Sequence, residues 1–503
     1  MHNPHFLVPF EVFAIFLLCL FMRLLPHYFS PNGVGVDHWY WKIFIEKYRY
    51  DREFPPVLPQ FLLEKHQWYP PLFPLLVARC PDVVFDRFSH VIAVVIDLLR
   101  MSFVMVVVFF LTGRMTSVLG AGVVYVFTPI LISYNVQLNP RGLGALFLDI
   151  VVVLLILLIW HAAPWWLWVF VVLFSGLILL THKMTTQLFW FLCLTVGLLT
   201  GDYRLLLLVP VSIIMAVVLS KGFYFKVMIA HWDIVTFWNR NWRWLSAHPV
   251  LESPIYGVPG YETPTKYYRS GFKGIWRRML YLIGFNPWAW AILAAGLWMY
   301  GLHTFLTYED AWTIRWVALI LSFMMLTTFV PALRCLGNGY MYLYNSSFPA
   351  ALAVGFIWGG LKHDGVVNVI LALTFAFCVI GIGFYFWVLK KSKTLKVDVS
   401  MNEVLERLRT LPDGVVMCFP QHWHQVVAYK SKKSVMYGSH GYGFKLLEFF
   451  SPRVTEPIKT TIKKFNIKYL FTYENYLPDN FLKDLPPADI EEFGHYRLFR
   501  FKS

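Results

Sequence analysis

Residues 6–25 read FLVPFEVFAIFLLCLFMRLL, and shortly after them comes Gly33-Val34-Gly35-Val36-Asp37-His38-Trp39-Tyr40-Trp41. The first stretch has the length of a helix that crosses a bilayer core, about twenty apolar residues. The aromatic cluster of the second belongs at the headgroup level, where amphipathic rings concentrate. A carboxylate is not needed there to hold a helix in lipid. An acid at a membrane surface, walled by aromatics, is a candidate catalytic base, and Asp37 is that acid.

Working outward, further apolar runs occur at 91–112, 117–134, 143–161, 164–181, 187–200, 204–220, 284–302, 312–331, 346–361 and 366–389. Together they predict a mainly α, polytopic transmembrane bundle of about eleven spans. The composition agrees. The chain has 503 residues, 58% of them hydrophobic and only 15% charged, whereas soluble domains carry about 25% charged residues. The amino end lacks Lys and Arg, and no small-residue cleavage pattern follows residue 25, so the first run is expected to stay as a membrane helix. The net charge of +15 is broken up by apolar blocks. That pattern excludes a nucleic-acid stripe and points to membrane lipid, lipid phosphate or acidic glycan as partners. The six cysteines are scattered without a CxxC pair and give neither a disulfide framework nor a zinc signature.

Two long polar segments, 26–90 and 221–283, interrupt the apolar pattern, and after Lys390 its character changes. Residues 1–395 are expected to form the membrane module and 396–503 a soluble α/β domain. In the latter, Ser400–Leu411 has helical spacing with Ser400 and Glu403 as a capping box. Val415–Phe419, Ile467–Phe471 and Tyr496–Phe501 read as strands, and Thr460–Phe465 as the end of a basic helix.

Threading eleven spans in order places Asp37, Asn139-Pro140-Arg141, Thr181-His182-Lys183, the segment 221–283, Arg334–Tyr344 and the terminal domain on one membrane face. Arg141 offers a fork of donors suited to phosphate, although a snorkelling helix-end arginine is the plainer account. Lys183 and Arg334 are further cations on that face, and the glycines of Gly337-Asn338-Gly339 permit close backbone approach. Trp68-Tyr69-Pro70-Pro71-Leu72 is an aromatic anchor or a stacking surface for a sugar ring. Trp238–Trp244 reads as an interfacial amphipathic helix. His422-x-His424 supplies too few ligands for a metal, and Asn345-Ser346-Ser347 is a sequon at the start of a span.

A base, several cations and an apolar bundle fit transfer from a lipid-phosphate sugar, which needs a groove for the lipid, positive charge for the departing phosphate and a base for the acceptor hydroxyl. In these features the chain resembles the GT-C superfamily of polytopic glycosyltransferases. The matching residues are Asp37 after the first span, Trp68-Tyr69-Pro70-Pro71-Leu72 before the second, Asn139-Pro140-Arg141 after the third, Leu180-Thr181-His182-Lys183 after the fifth, and a soluble domain after the last.

The resemblance implies that Asp37 is the catalytic acid of the first loop and that the donor is a polyprenyl-phosphate sugar. It also implies inverting transfer on the extracytoplasmic face of the plasma or inner membrane. The acceptor is a hydroxyl of a lipid-linked or cell-surface glycan. Arg141 and Lys183 are expected to neutralise phosphate with help from His182 or Arg334, and Asn139, His38 and Tyr69 complete the substrate-binding set. His38 stands where protein mannosyltransferases have a second acid, which argues against that branch. No cofactor and no metal ligand is assigned. Oligosaccharyltransferases hold a divalent metal with spaced acids, and Asp51 and Glu53 have acid-x-acid spacing further along the loop, so a divalent metal stays open. The alternative reading is a transporter or flippase of lipid-linked sugars, which is expected to carry acids or broken helices in paired repeats. The sequence displays no such repeats.

Overall fold

The computed structural model describes residues 7–30, 37–242, 271–301, 308–359, 365–391, 397–438, 440–452, 454–477 and 479–502. The chain starts with α1 (Leu7–Phe29), α2 (Asp37–Asp51), α3 (Leu72–Val77), α4 (Asp82–Thr112), α5 (Met115–Val126), α6 (Pro129–Tyr134) and α7 (Arg141–Trp160). It continues with α8 (Leu167–Leu179), α9 (Lys183–Thr200), α10 (Tyr203–Leu219), α11 (Tyr224–Asn241), α12 (Gly271–Phe285), α13 (Pro287–Gly301), α14 (Tyr308–Phe329), α15 (Ser347–Gly359) and α16 (Gly365–Lys391).

Every expected apolar run lies on these helices, but they are unequal. Among the described residues, six helices (α1, α4, α7, α9, α14 and α16) are long and apolar enough to cross a membrane unaided. Helices α12 and α13 form a pair bent by 93°, and α5, α8, α10 and α15 are shorter apolar helices. The run 117–134 is split because Pro129 follows the extended Thr128, ending α5 and starting α6.

Two buried ion pairs pin the bundle. Arg23 of α1 meets Asp97 of α4 at 2.7 Å, and both side chains are fully buried. Tyr125 donates its hydroxyl to the other oxygen of Asp97 at 2.7 Å, while Arg23 donates to the carbonyls of Val126 and Tyr125. One turn further along α4, Arg100 meets Asp149 of α7 at 2.5 Å, again without exposure, and donates to the carbonyl of Tyr344 at 3.2 Å. These acids, each paired and hydrogen-bonded, fasten α1, α4, α5 and α7 to one another, the arrangement that makes a charge tolerable in lipid.

After Val397 come α17 (Val399–Thr410), α18 (His424–Ser431), α19 (Ile458–Lys464) and α20 (Asp479–Lys483). They accompany strands β1 (Val415–Cys418), β2 (Ser434–Val435), β3 (Ile467–Tyr473), β4 (Ala488–Phe493) and β5 (Tyr496–Phe501). The sheet order is β2-β1-β3-β5-β4, with β2, β1 and β3 parallel and the last two strands antiparallel. The start of α17 corrects the expected capping box. Asp398, not Ser400, caps it by accepting the Met401 N–H at 2.8 Å, because the helix begins at Val399.

Packing crosses the expected boundary near 396. Trp39, Tyr40, Trp41 and Phe44 of α2, with Leu58 and Phe61, share one core with Val404, Leu405, Val426 and Tyr469. Phe61 forms a parallel bridge to Val435 and His66 an antiparallel bridge to Tyr442. The long first segment is therefore built into the terminal sheet unit, and this places Asp37 beneath that unit.

Candidate active site

Three helices begin at one cavity of about 260 Å³: α2 with Asp37, α7 with Arg141 and α9 with Lys183, all of which line it. A helix N-terminus carries a partial positive charge, which favours an acid and disfavours a cation. Asp37 at the start of α2 accords with this. Arg141 and Lys183 go against it, and their two helix ends add to the positive potential they already supply. That is the electrostatics of an anion site.

Arg141 is 8% exposed. Its guanidinium packs on the Tyr134 ring at 4.2 Å and Nη2 faces the Met341 sulfur at 4.0 Å. Its Nε and Nη1 are buried and have no hydrogen-bond partner among the described residues. Leaving buried charged donors unmet costs about 1–3 kcal/mol or more each, so a ligand with acceptor oxygens is the natural counterpart. The Lys183 ammonium likewise has neither ion pair nor hydrogen bond among the described residues.

The remaining expected residues divide. Tyr69 lines the cavity, its ring edge-on to Trp41 at 4.9 Å, and burial pushes its hydroxyl pKa up. The Leu72 N–H donates to Leu180 O at 2.9 Å, so the Tyr-Pro-Pro-Leu run is tied to the turn that carries His182. Trp68 is stacked on Tyr442 at 4.3 Å, and that face of its ring is taken. Asn139 lines the cavity but its amide is spent locally: Nδ2 donates to Tyr134 O and Gln137 O, and Oδ1 accepts the Arg141 N–H at 3.0 Å. It braces the start of α7. His182 caps α9 through the Thr185 N–H and is held neutral, its pKa lowered well below normal by burial and then by Arg141 and Lys183.

Two expected residues stand apart from the cavity. His38 is buried and its Nδ1 accepts the Leu138 N–H at 3.3 Å, locking the entry to α2 against the turn before Asn139. Arg334 sits in the short 3₁₀ helix Pro331–Leu336, donates to Thr328 O at 3.1 Å and lies over the Trp242 ring at 4.5 Å. Its neighbours Leu336, Gly337 and Asn338 line the cavity in its stead. Trp238 of the expected interfacial helix also lines it, on α11, whereas Arg243 and Trp244 fall outside the described residues. The sequon is closed off, with Asn345 and both serines buried.

The terminal unit supplies a wall of the cavity: His422 and His424, which the sequence offered only as too small a metal set, and Gln421, Gln425, Tyr437 and His440, which it did not single out. His440 Nε2 lies 3.3 Å from Asp37 Oδ1. The signal was the run Gly438-Ser439-His440-Gly441-Tyr442-Gly443. A Cβ on Gly438 would come within 2.8 Å of the Phe61 ring, and one on Gly441 within 2.6 Å of His66 O. Glycines there let the loop lie directly on the first segment.

Among the described residues no three His, Cys, Asp or Glu side chains converge as a metal site. Asp51 closes α2, about 21 Å from Asp37 at 1.5 Å per residue, and pairs with Lys47 at 2.9 Å.

His38 and His424 give a pH prediction. Burial is the main cause that lowers each to about 3, against an ordinary value of about 6.5. Below about 6.5 the unfolded chain takes up protons that the folded protein refuses, so stability falls as pH drops from about 6.5 toward about 3. Thermal unfolding in detergent across that window is expected to show the loss, and replacing both histidines by glutamine to lessen it, His182 still contributing.

No family model matches the chain, and no curated protein matches it significantly. Among solved structures, the Archaeoglobus fulgidus oligosaccharyltransferase in the apo form aligns with 93% of this chain and 69% of its own, at TM-score 0.53 and 11% identity. The archaeal oligosaccharyltransferase AglB from the same organism, in complex with an inhibitory peptide and a dolichol-phosphate, aligns over 94% and 70%, at TM-score 0.52 and 11% identity. ArnT from Cupriavidus metallidurans bound to undecaprenyl phosphate aligns over 97% of each chain, at TM-score 0.49 and 12% identity. The chain thus shares the fold of the polytopic membrane glycosyltransferases that its sequence resembles.

Proposed function

We propose that this protein is an inverting glycosyltransferase that moves a sugar from a polyprenyl-phosphate donor to a hydroxyl of a lipid-linked or cell-surface glycan on the extracytoplasmic face. The observation that carries the proposal is the buried Arg141, with Nε and Nη1 unpaired, in one cavity with Lys183 and Asp37. The dolichol-phosphate bound to the archaeal enzyme of similar fold supports the ligand class. An apolar cavity of about 430 Å³ is lined by Val151 and Leu155 of α7, Phe189 and Leu192 of α9, and Trp316 of α14. Along α7 and α9 it begins about 10–15 Å from the cations at 1.5 Å per residue, which suits a lipid tail descending from a phosphate held above.

In this reading Arg141 and Lys183 hold the donor phosphate and stabilise the charge that grows as the anomeric bond breaks. Asp37 takes the proton of the acceptor hydroxyl, whose oxygen attacks the anomeric carbon from the opposite face. Trp41 and Tyr69 wall the reacting centre and limit water. The lipid-linked-sugar transporter finds no support in the site or in the similar folds.

Binding of polyprenyl phosphate to the purified protein tests the proposal. Losing charge-assisted hydrogen bonds worth about 1.5–3 kcal/mol is expected to weaken binding about 10- to 100-fold in Arg141→Ala, with Arg141→Lys in between because its point charge cannot fork. Equal affinity in all three proteins would refute it.

A further inference from the structure

Helix α12 leaves the bundle at the level of the cavity and turns sharply away. Arg278 on its inner side lies over the ring of Phe329, the last residue of the spanning helix α14, at 5.2 Å. Just after its end, Asn286 donates to Leu343 O at 3.3 Å and to the Ser346 hydroxyl at 2.8 Å, beside the start of α15. Phe285 stacks on Tyr340 at 4.8 Å and meets the Tyr134 ring, on which Arg141 packs, at 6.3 Å. From that junction α13 runs among α14, α15 and α16, while α12 departs at 93° to it. A helix perpendicular to one that runs along a membrane bundle lies in the bilayer plane. Its contacts put α12 where spanning helices end, at the headgroups.

At 3.6 residues per turn α12 has three faces. Gly274, Arg278 and Leu282, spaced four apart, are buried against the protein. Phe272, Ile275, Trp276 and Leu280 form an exposed stripe, with Phe272 78% and Trp276 56% exposed and their rings stacked at 6.5 Å. Lys273 and Arg277, again four apart, form the remaining edge, and among the described residues neither has an ion pair or a hydrogen bond. With the buried face against the bundle, the apolar stripe covers the outer side and one flank, and the two cations lie along the other flank. That is how a helix is divided when it rests between acyl chains and water. We propose that α12 is an in-plane helix that binds anionic phospholipid: the apolar stripe sinks to the acyl boundary, and Lys273 and Arg277 meet the headgroup phosphates.

Charge selects the class of lipid. The sequence of α12, GFKGIWRRMLYLIGF, holds three cations and no acid. A zwitterionic headgroup brings its own ammonium, which cancels its phosphate and leaves Lys273 and Arg277 unmatched. An anionic headgroup such as that of phosphatidylglycerol matches them, and their long stems let both cations reach it while the helix stays low. Aromatic rings at the same level favour the interface over the acyl core. The anchor also bears on the cavity, because the rings of Phe285, Tyr340 and Tyr134 join α12 to the Arg141 guanidinium. Lipid held on α12 thus keeps the cavity at the depth of the bilayer's phosphates. The inference requires only that the chain lie in a membrane, and it is independent of the transferase reading.

The test is photolabelling of the full chain in phosphatidylcholine nanodiscs with photoreactive phosphatidylglycerol or photoreactive phosphatidylcholine, the adducts on residues 271–285 being mapped by mass spectrometry. The wild-type protein is expected to be labelled on α12 by both probes, with half-maximal labelling at a much lower mole fraction of the anionic one. A basic residue near an anionic surface contributes about fivefold in affinity. Lys273→Gln or Arg277→Gln is therefore expected to raise the phosphatidylglycerol midpoint about fivefold, and the double variant about 25-fold. Raising the salt shifts the wild-type midpoint the same way. Phosphatidylcholine labelling stays the same in all of these proteins, because the apolar stripe is untouched. Equal phosphatidylglycerol midpoints in the wild type and the double variant would overturn the inference, as would equal wild-type midpoints for the two probes. Absence of α12 adducts with both probes takes the helix off the bilayer and overturns it too. If the Arg277 variants do not fold, Lys273→Gln alone decides, and an unchanged midpoint in it overturns the inference.

Discussion

Asp37→Asn is expected to lower sugar transfer by about 10²–10⁴-fold, the range over which a positioned general base contributes, while binding of polyprenyl phosphate stays near the wild-type level. The two effects separate because, in the proposed reaction, Asp37 and the cations Arg141 and Lys183 act on different atoms. Asparagine has nearly the shape of aspartate and can still meet His440 Nε2, 3.3 Å away, through its own oxygen. What it lacks is basicity. A drop in rate without a drop in lipid affinity identifies a proton acceptor, whereas parallel losses would indicate that Asp37 only shapes the cavity. Single-turnover transfer and equilibrium binding on the same preparations make the comparison.

The largest effect on stability is expected at Asp149. Its replacement by alanine strands Arg100, a fully buried guanidinium bonded at 2.5 Å to Asp149, and breaking such a pair costs about 3–5 kcal/mol. Replacing both partners together, as Arg100→Met with Asp149→Leu, leaves no orphan charge and is expected to recover most of the loss. The effect reaches the site as well. Arg100 donates to Tyr344 O, the Tyr344 hydroxyl donates to Asn135 at 2.8 Å, and a Cβ on Gly142, beside Arg141, would sit 3.2 Å from that hydroxyl. Unfolding in mixed micelles with denaturant measures the three proteins. A single variant as stable as the wild type would contradict this account of the bundle.

How far the sequence disclosed this molecule follows from the range of the forces involved. Membrane-length apolar runs were legible because the bilayer constrains each helix locally. Arg141 and Lys183 were legible because each stands at a helix start beside a Pro or His break. Asp97 and Asp149 were harder: single acids inside apolar helices show no partner until α1, α4 and α7 pack. His38 and Arg334 were read as ligands from type and place, yet each is turned to a backbone partner by packing that no local pattern encodes. His440 lay furthest from view, since it reaches Asp37 only when the first segment joins the terminal sheet through Phe61 and His66. Strand β4, with Asp489, Glu491 and Glu492 along an edge, carries too little apolar alternation to stand out.

The central claim is that one cavity holds a lipid phosphate and transfers the sugar attached to it. Its most direct measurement is the count of free polyprenyl phosphate released per sugar transferred when the protein, in proteoliposomes, is given radiolabelled polyprenyl-phosphate sugars and glycan acceptors. The account predicts one lipid phosphate released for each glycosidic bond formed with at least one donor, and both products formed about 10²–10⁴-fold more slowly in Asp37→Asn. Movement of intact sugar-lipid between leaflets, with no phosphate released and no dependence on Asp37, would contradict it.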